Sequence, residues 1–141
     1  MPTNPALIKL FSAAHAFSYR LTGGRMGRRI AGAPVLLLTT TGRKSGKRRT
    51  APLLYLEDGE NIVVVASNGG NDQHPVWWLN LKQDSDAQVQ IGKTSKRVRA
   101  ERADEQELSR LWPLLVEMYG GYQEYQDGTH RKIPVVILRP A

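Results

Sequence analysis

Five cations fall within seven residues in the run Arg43-Lys44-Ser45-Gly46-Lys47-Arg48-Arg49. Gly42 and Gly46 pin them to a short turn, so they cannot spread as they would along a tail, and glycine amides beside them can also face oxyanions. Such a turn suits a phosphate or carboxylate clamp. Arginine's planar fork makes paired, charge-assisted hydrogen bonds to those groups, which suits Arg43, Arg48 and Arg49 to geometric recognition better than Lys47. The plain alternative is a solvated basic loop. The segment is not a P-loop, because Gly42 and Gly46 are one residue too close and Lys47 is followed by Arg48 rather than by Ser or Thr.

Two further groups could carry chemistry. Ala66-Ser67-Asn68-Gly69-Gly70 is a strand running into a glycine turn, followed closely by His74-Pro75-Val76-Trp77-Trp78-Leu79-Asn80-Leu81. Adjacent tryptophans on a helix point about 100° apart, so both are fully buried only if something covers both faces. A planar ring in a groove or a dimer interface would serve. Tyr119, Tyr122 and Tyr125 recur every three residues, forming either an aromatic packing stripe or the wall of a ligand pocket with a proton donor at hand. The three histidines, His15, His74 and His130, lack metal-ligand spacing, so no metal site is expected. No Gly-x-Ser-x-Gly elbow is present, and the chain has no cysteine, which removes thiol nucleophiles, disulfides and Cys-based zinc sites.

The elements that must hold these groups follow from periodicity and turn residues. Three- and four-residue spacing of Leu7, Leu10, Phe11, Ala14, Phe17 and Leu21 predicts an amphipathic helix from about Pro5 to Leu21, followed by a Gly-rich basic stretch from Thr22 to Gly32. Val35 to Thr41 reads as a buried strand, and the next begins near Arg49. Asp58-Gly59 after Leu53 to Glu57 signals a type I′ hairpin, with Ile62 to Ser67 as the return strand. Pro75 suits the first turn of a short helix closing near Lys82. Strands are expected at about Ala87 to Ile91 and Lys96 to Glu101. Asp104 and Glu107 resemble a capping box for a helix carrying Leu108, Leu111, Trp112, Leu115 and Tyr119, which Pro113 should kink or break. Ile133 to Arg139 ends the chain as a strand. About six short, mostly antiparallel strands with flanking helices favour a small α+β barrel.

The chain has 141 residues, 40% of them hydrophobic, which suits one compact domain. Its net charge of +7 conceals an asymmetry. Residues 1–56 carry ten Lys or Arg and no acid, whereas residues 57–141 carry ten bases and thirteen acids. The basic half implies an anionic partner. A nucleic acid is disfavoured, because no aromatic residue lies between Tyr19 and Tyr55 to stack on bases. No apolar run approaches the roughly 20 residues of a membrane span and the start lacks a signal peptide's organisation, so a cytoplasmic location is expected.

The segments Leu38-Thr39-Thr40-Thr41-Gly42-Arg43-Lys44-Ser45-Gly46, Arg49 to Leu53, Ala66 to Gly70, Pro75 to Leu81 and the tyrosine stripe occur in order between about Pro34 and Pro140. Together they resemble the deazaflavin-dependent nitroreductases. The resemblance implies a split β-barrel akin to the FMN-binding barrels, spanning 34–141, and a hydride passed from reduced coenzyme F420 to a small organic acceptor. F420 carries a phosphate and an oligoglutamate tail, so Arg43, Lys44, Ser45 and Arg49 become its clamp. By the same resemblance Thr50, Ala51, Pro52 and Leu53, with Ala66, Ser67, Asn68 and Gly69, line the cofactor. Val76, Trp77, Trp78, Leu79 and Asn80 cover its ring and linker. Tyr122 and Ser67 are the expected catalytic residues, and Tyr119, Tyr125 and Leu54 the acceptor pocket. Asn68 stands where the best-known pattern has a lysine and Leu54 where it has a pocket tyrosine. Nitroimidazole chemistry therefore does not carry over, and quinone or enone reduction stays open. An FMN-binding split barrel is the alternative, although one FMN phosphate needs fewer cations than this turn provides.

Residues 1–33 fall outside the strong match and combine Lys9, Arg20, Arg25, Arg28 and Arg29 with an apolar face. The expectation is a helix and basic linker that either touch an anionic membrane surface, close over the pocket or pack on the barrel. Co-flotation with anionic liposomes at low salt is the outcome expected of the membrane version, and no flotation removes it.

Overall fold

A computed structural model describes residues 29–30 and 33–141. The helix expected over Pro5 to Leu21 lies outside the described residues, as does most of the basic stretch after it. The chain runs β1 (Arg29–Ile30), β2 (Ala33–Thr41), β3 (Arg48–Leu54), β4 (Leu56–Asp58), β5 (Asn61–Val65), α1 (Val76–Gln83), β6 (Asp86–Ile91), β7 (Thr94–Arg102), α2 (Glu105–Met118), α3 (Gly121–Asp127) and β8 (Val135–Pro140).

Every strand pairing is antiparallel, and the ladder runs β3–β2–β6–β7–β8–β5–β4. Its two ends, β3 and β4, are consecutive in the chain and separated only by Tyr55. One bent segment therefore pairs with β2 through its first half and with β5 through its second, which curls the sheet into the expected split barrel. At the bend the Tyr55 amide still donates to the Pro34 carbonyl (3.2 Å), and the Tyr55 ring is buried in the barrel core. The short β1 and this interruption explain why the described residues hold eight ladder segments where six strands are expected.

Alternation along the strands sorts the two sides of the sheet. Ile62 and Val64 of β5 and Val136 and Leu138 of β8 point into the barrel with Leu36, Leu38, Val89 and Val98. Their neighbours Val63, Val65, Val135 and Ile137 face outward under Leu111 and Leu115 of α2 and Tyr122 of α3. Burial on both faces makes β5 and β8 unbroken apolar runs. In β6, by contrast, buried Ala87 and Val89 alternate with exposed Asp86 and Gln88, so that strand's outer face carries no such apolar cover.

Several local expectations need correction. The Asp58↔Asn61 pair closes the hairpin, so Gly59-Glu60 forms the turn, and only Gly59 has positive φ (61°), which fits type II′ rather than I′. The β5 strand stops at Val65 because Ser67 turns into the right-handed region. Pro75 is the extended cap before α1 rather than part of its first turn. The α2 helix has the full capping box, with Glu107 N donating to Asp104 Oδ1 (2.7 Å) and Asp104 N to Glu107 Oε1 (3.2 Å). It runs through Pro113 without dividing in two. Pro113 lies on the exposed side, where water can serve a carbonyl deprived of its donor, while Leu111 and Leu115 hold the helix to the sheet.

Candidate active site

Seen from its backbone, the cation turn is rigid. Gly42 N donates to Lys47 O (2.8 Å) and Gly46 N to Gly42 O (2.9 Å). Gly46 sits at φ 72°, and a Cβ on Gly42 would lie 2.9 Å from Ser45 Oγ. Both glycines are thus required by the turn. Ser45, expected at a ligand, instead uses its hydroxyl to accept from Lys47 N (3.2 Å). Among the described residues none of Arg43, Lys44, Lys47, Arg48 or Arg49 forms an ion pair. Arg48 donates to Thr41 Oγ1 (3.2 Å).

The turn is tied to α1 by one side chain. Asn80 is 1% exposed, accepts from Arg43 N at Oδ1 (3.0 Å) and donates from Nδ2 to the buried Thr40 Oγ1 (3.1 Å). The expected covering role of Asn80 is therefore replaced by an internal one. Trp77 and Trp78 are likewise taken into the barrel core with Leu81, so this chain itself covers both indoles and neither a ligand ring nor a dimer is needed to bury them. Of that segment Val76 (59% exposed) and half-buried Leu79 remain presented.

At the other end of α1, Asn68 (φ 50°), Gly69 (φ 62°) and Gly70 (φ 82°) adopt left-handed conformations. A Cβ on Gly70 would meet the Tyr125 ring at 2.9 Å, so this loop and the tyrosine segment are in contact. Ala66 is fully buried and its amide donates to Pro134 O (2.9 Å), which closes it to a ligand. The Ser67 hydroxyl has no partner among the described residues. The residue that sequence reading missed is Arg131. Its guanidinium donates to Asn71 O (2.9 Å), Ala66 O (3.2 Å) and Ser67 O (2.7 Å), and approaches His74 Nδ1 at 3.1 Å. Arginine only donates, so Nδ1 accepts and His74 is neutral, consistent with a pKa lowered by burial and by Arg131, Lys82 and Arg102.

The tyrosines divide between elements: Tyr119 caps the end of α2, and Tyr122 and Tyr125 belong to α3. Gly121 allows this, since a Cβ there would lie 2.6 Å from the Tyr119 ring. Tyr119 meets Tyr122 edge-on at 5.0 Å between centroids, and the Tyr119 and Tyr125 hydroxyls are 2.9 Å apart. Tyr122 is buried (4% exposed), and burial, with Tyr119 and Tyr125 beside it, pushes its hydroxyl well above the ordinary tyrosine range. Burial and the Tyr119 hydrogen bond push Tyr125 up to about 12. Both phenols stay protonated at neutral pH.

The β3 strand connects the two ends. Register places Arg48, Thr50, Pro52 and Leu54 on its outer side opposite Thr41, Thr39, Leu37 and Val35, and turns Ala51 and Leu53 inward against the core. At about 3.3 Å per residue the outer row is roughly 20 Å long. It starts at Arg48, with Arg49 alternating to the side of Ala51 and Leu53, and Leu54 packs against the cluster that contains Tyr119, Tyr122 and Tyr125. A polar depression lined by Leu37, Thr39, Thr50, Gln88, Gln90 and Ser95 opens beside it, with Thr39 and Thr50 joined through their hydroxyls (2.9 Å). Among the described residues no cluster of His, Asp or Glu could hold a metal ion. The arrangement suits an elongated ligand with several negative charges at one end and a flat or apolar part at the other.

Comparison with known proteins bears on this arrangement. The model of the F420H(2)-dependent quinone reductase family matches residues 12–140. An F420H(2)-dependent quinone reductase of Mycobacterium tuberculosis (strain ATCC 25618 / H37Rv) is 41% identical over 128 residues, covering 88% of this chain and 86% of the relative. A second protein of that strain, named for the same reductase group, is 47% identical over 107 residues, covering 76% of this chain and 90% of its own. A solved structure described as an F420-H2 dependent reductase superposes with a TM-score of 0.70 at 41% identity, covering 75% of this chain and 94% of its own.

Two outcomes are expected. Asn80→Ala strands the buried Thr40 hydroxyl and the Arg43 amide, and should cost about 2 kcal/mol of stability in denaturant titration. Because the folded-state pKa values of Tyr122 and Tyr125 lie above the unfolded value, the stability they contribute is fully present below about pH 10 and is lost as pH rises through the folded values. Ultraviolet titration should show a late-ionising tyrosine step that shrinks in Tyr122→Phe.

Proposed function

We propose, from the premise that this chain belongs to the F420H2-dependent quinone reductase family, that it is an oxidoreductase that uses reduced coenzyme F420 to reduce a quinone-type acceptor. The observation that carries this reading is a rigid turn of five cations without acidic partners among the described residues, joined by one strand row to a cluster of tyrosines. When bound, F420H2 supplies a hydride from its deazaflavin ring while its phosphate and glutamates carry the negative charge. The residues present fit that group.

Arg43, Lys44 and Arg49 are the proposed clamp, with Lys47 and Arg48 adding to the local positive potential. Thr50 and Pro52 on the outer row, with Ser67, Asn68 and Gly69 in the loop, are proposed to line the remainder, and Val76 and Leu79 to offer apolar cover. The Ser67 hydroxyl, neutral and without a partner among the described residues, can hydrogen-bond cofactor or acceptor. Tyr122 is proposed to orient the acceptor oxygen and to provide its proton; burial keeps the phenol protonated but makes it a weaker acid, so the proton passes only to a reduced oxygen of comparable or greater basicity. Tyr119, Tyr125 and Leu54 shape the pocket. Leu54 and Asn68 make it more apolar and less cationic than a tyrosine and a lysine would, which favours a quinone over a nitroimidazole.

Residues 34–141 are proposed as the cofactor-binding unit. No helix among the described residues is long and apolar enough to cross a membrane. A cytoplasmic location, with contact to an anionic membrane surface through residues 1–33, is the finer reading, supported by their composition and by the apolar nature of quinones.

Titration with F420, followed by its fluorescence, tests the proposal. Saturable micromolar binding is expected, weakened at least tenfold, about 1.4 kcal/mol, in the Arg43→Ala, Arg49→Ala protein. Absence of saturable binding, or retention of FMN in the purified protein with indifference to F420, would overturn it.

A further inference from the structure

Regular structure in the Ala66–His74 loop is limited to one short turn, Asn68–Gly70. The loop's internal hydrogen bonds include Gly70 N to Ser67 O (2.9 Å), Asn71 N to Asn68 O (3.1 Å), Asn68 Nδ2 to Gln73 O (3.0 Å) and Gln73 N to Asn71 Oδ1 (2.9 Å). Left-handed conformations at Asn68, Gly69 and Gly70 favour no single shape in a free chain, because glycine has many alternatives to lose. The loop is nevertheless bound from one side by the connection between α3 and β8. Thr129 donates to Asp72 Oδ1 (2.8 Å), and the Arg131 guanidinium reaches three loop carbonyls and His74.

That connection is itself fixed. Gln126, on α3 beside Tyr125, donates from Nε2 to Arg131 O (2.9 Å) and accepts from Ile133 N at Oε1 (3.0 Å). A continuous path of hydrogen bonds thus runs from the tyrosine helix through Gln126 and Arg131 to Ser67. Arg131 is half-buried and makes no ion pair among the described residues, although Asp72 lies near enough to favour its charge. A cation drawn partly out of water and satisfied by backbone oxygens is an expensive way to close a loop unless the loop's shape matters. Its fork serves several acceptors in fixed directions at once, which a lysine cannot do.

We infer that Arg131 is a positioning residue of the cofactor site, holding the Ser67 loop in register with the tyrosine helix so that the two sides of the site keep a fixed spacing. The inference rests on the proposed function, in that it takes the Ser67 loop as part of the F420 site. Arg131 acts through that loop and does not touch the reacting atoms.

The test uses Arg131→Lys, which keeps the charge and removes the fork, with Arg131→Ala beside it. Amide hydrogen exchange is measured first, without cofactor. Gly70 and Asn71 should exchange at least tenfold faster in Arg131→Lys, while Val64 and Val136 in the barrel strands stay as protected as before. Steady-state kinetics should then show KM for F420H2 raised at least tenfold with the quinone KM within twofold. Unchanged loop exchange would overturn the inference, as would faster exchange throughout the strands, which would mark a general structural role. Faster loop exchange with unaltered F420 affinity would also overturn it, by removing the loop from the cofactor site. A wild-type protein that bound no F420 would instead overturn the proposed function, and the exchange measurement would still decide the anchoring.

Discussion

The Asn80 amide sits where three pieces of chain must agree: the end of β2, the cation turn and the helix that plugs the barrel. It is almost fully buried, and one hydrogen bond in each direction satisfies it, to Thr40 Oγ1 and from Arg43 N. A buried polar group is costly unless paired, so each partner constrains the other two. The helix cannot slide along the barrel mouth without losing Thr40, and the turn cannot swing without losing Asn80. Five mutually repelling cations are thereby held together at one end of β3 rather than dispersing into solvent.

The barrel supplies the rest of the geometry. Because β3 and β4 are one segment bent at Tyr55, the strand that begins at the cations ends beneath the helices that carry the tyrosines. The pairing that closes the sheet therefore also sets the length and direction of this outer row. The Trp77 and Trp78 side chains fill the barrel core, so the pair that looked like a ligand cover is better understood as the anchor that seats α1. A cationic end and a neutral, aromatic end suit the family to which the chain belongs, since the cofactor and a quinone differ in these two properties.

Much of this was legible in the residues. Gly42 and Gly46 announced a tight turn, Asp104 and Glu107 a capping box, and alternation announced the strands, because each signal is local. The hairpin turn moved by one residue because Asp58 and Asn61 pair across it, which a Asp-Gly dipeptide alone does not specify. Pro113 misled because tertiary packing of Leu111 and Leu115 outweighs one missing hydrogen bond. Asn80 and Ala66 were read as facing a ligand when their polar groups are taken up inside the fold. Arg131 left no signal at all. It stands in an ordinary basic run, His130-Arg131-Lys132, and its partners are backbone carbonyls more than fifty residues away, which no side-chain pattern encodes.

The most direct test of the central claim is a single turnover: protein loaded with F420H2 is mixed with a soluble naphthoquinone, and the return of oxidised-cofactor absorbance is followed beside quinol formation. The account predicts one quinol per cofactor oxidised, at a rate far above that without protein and slowed when the transferred hydrogen is deuterium. Cofactor that binds saturably yet is oxidised no faster than in buffer would contradict it.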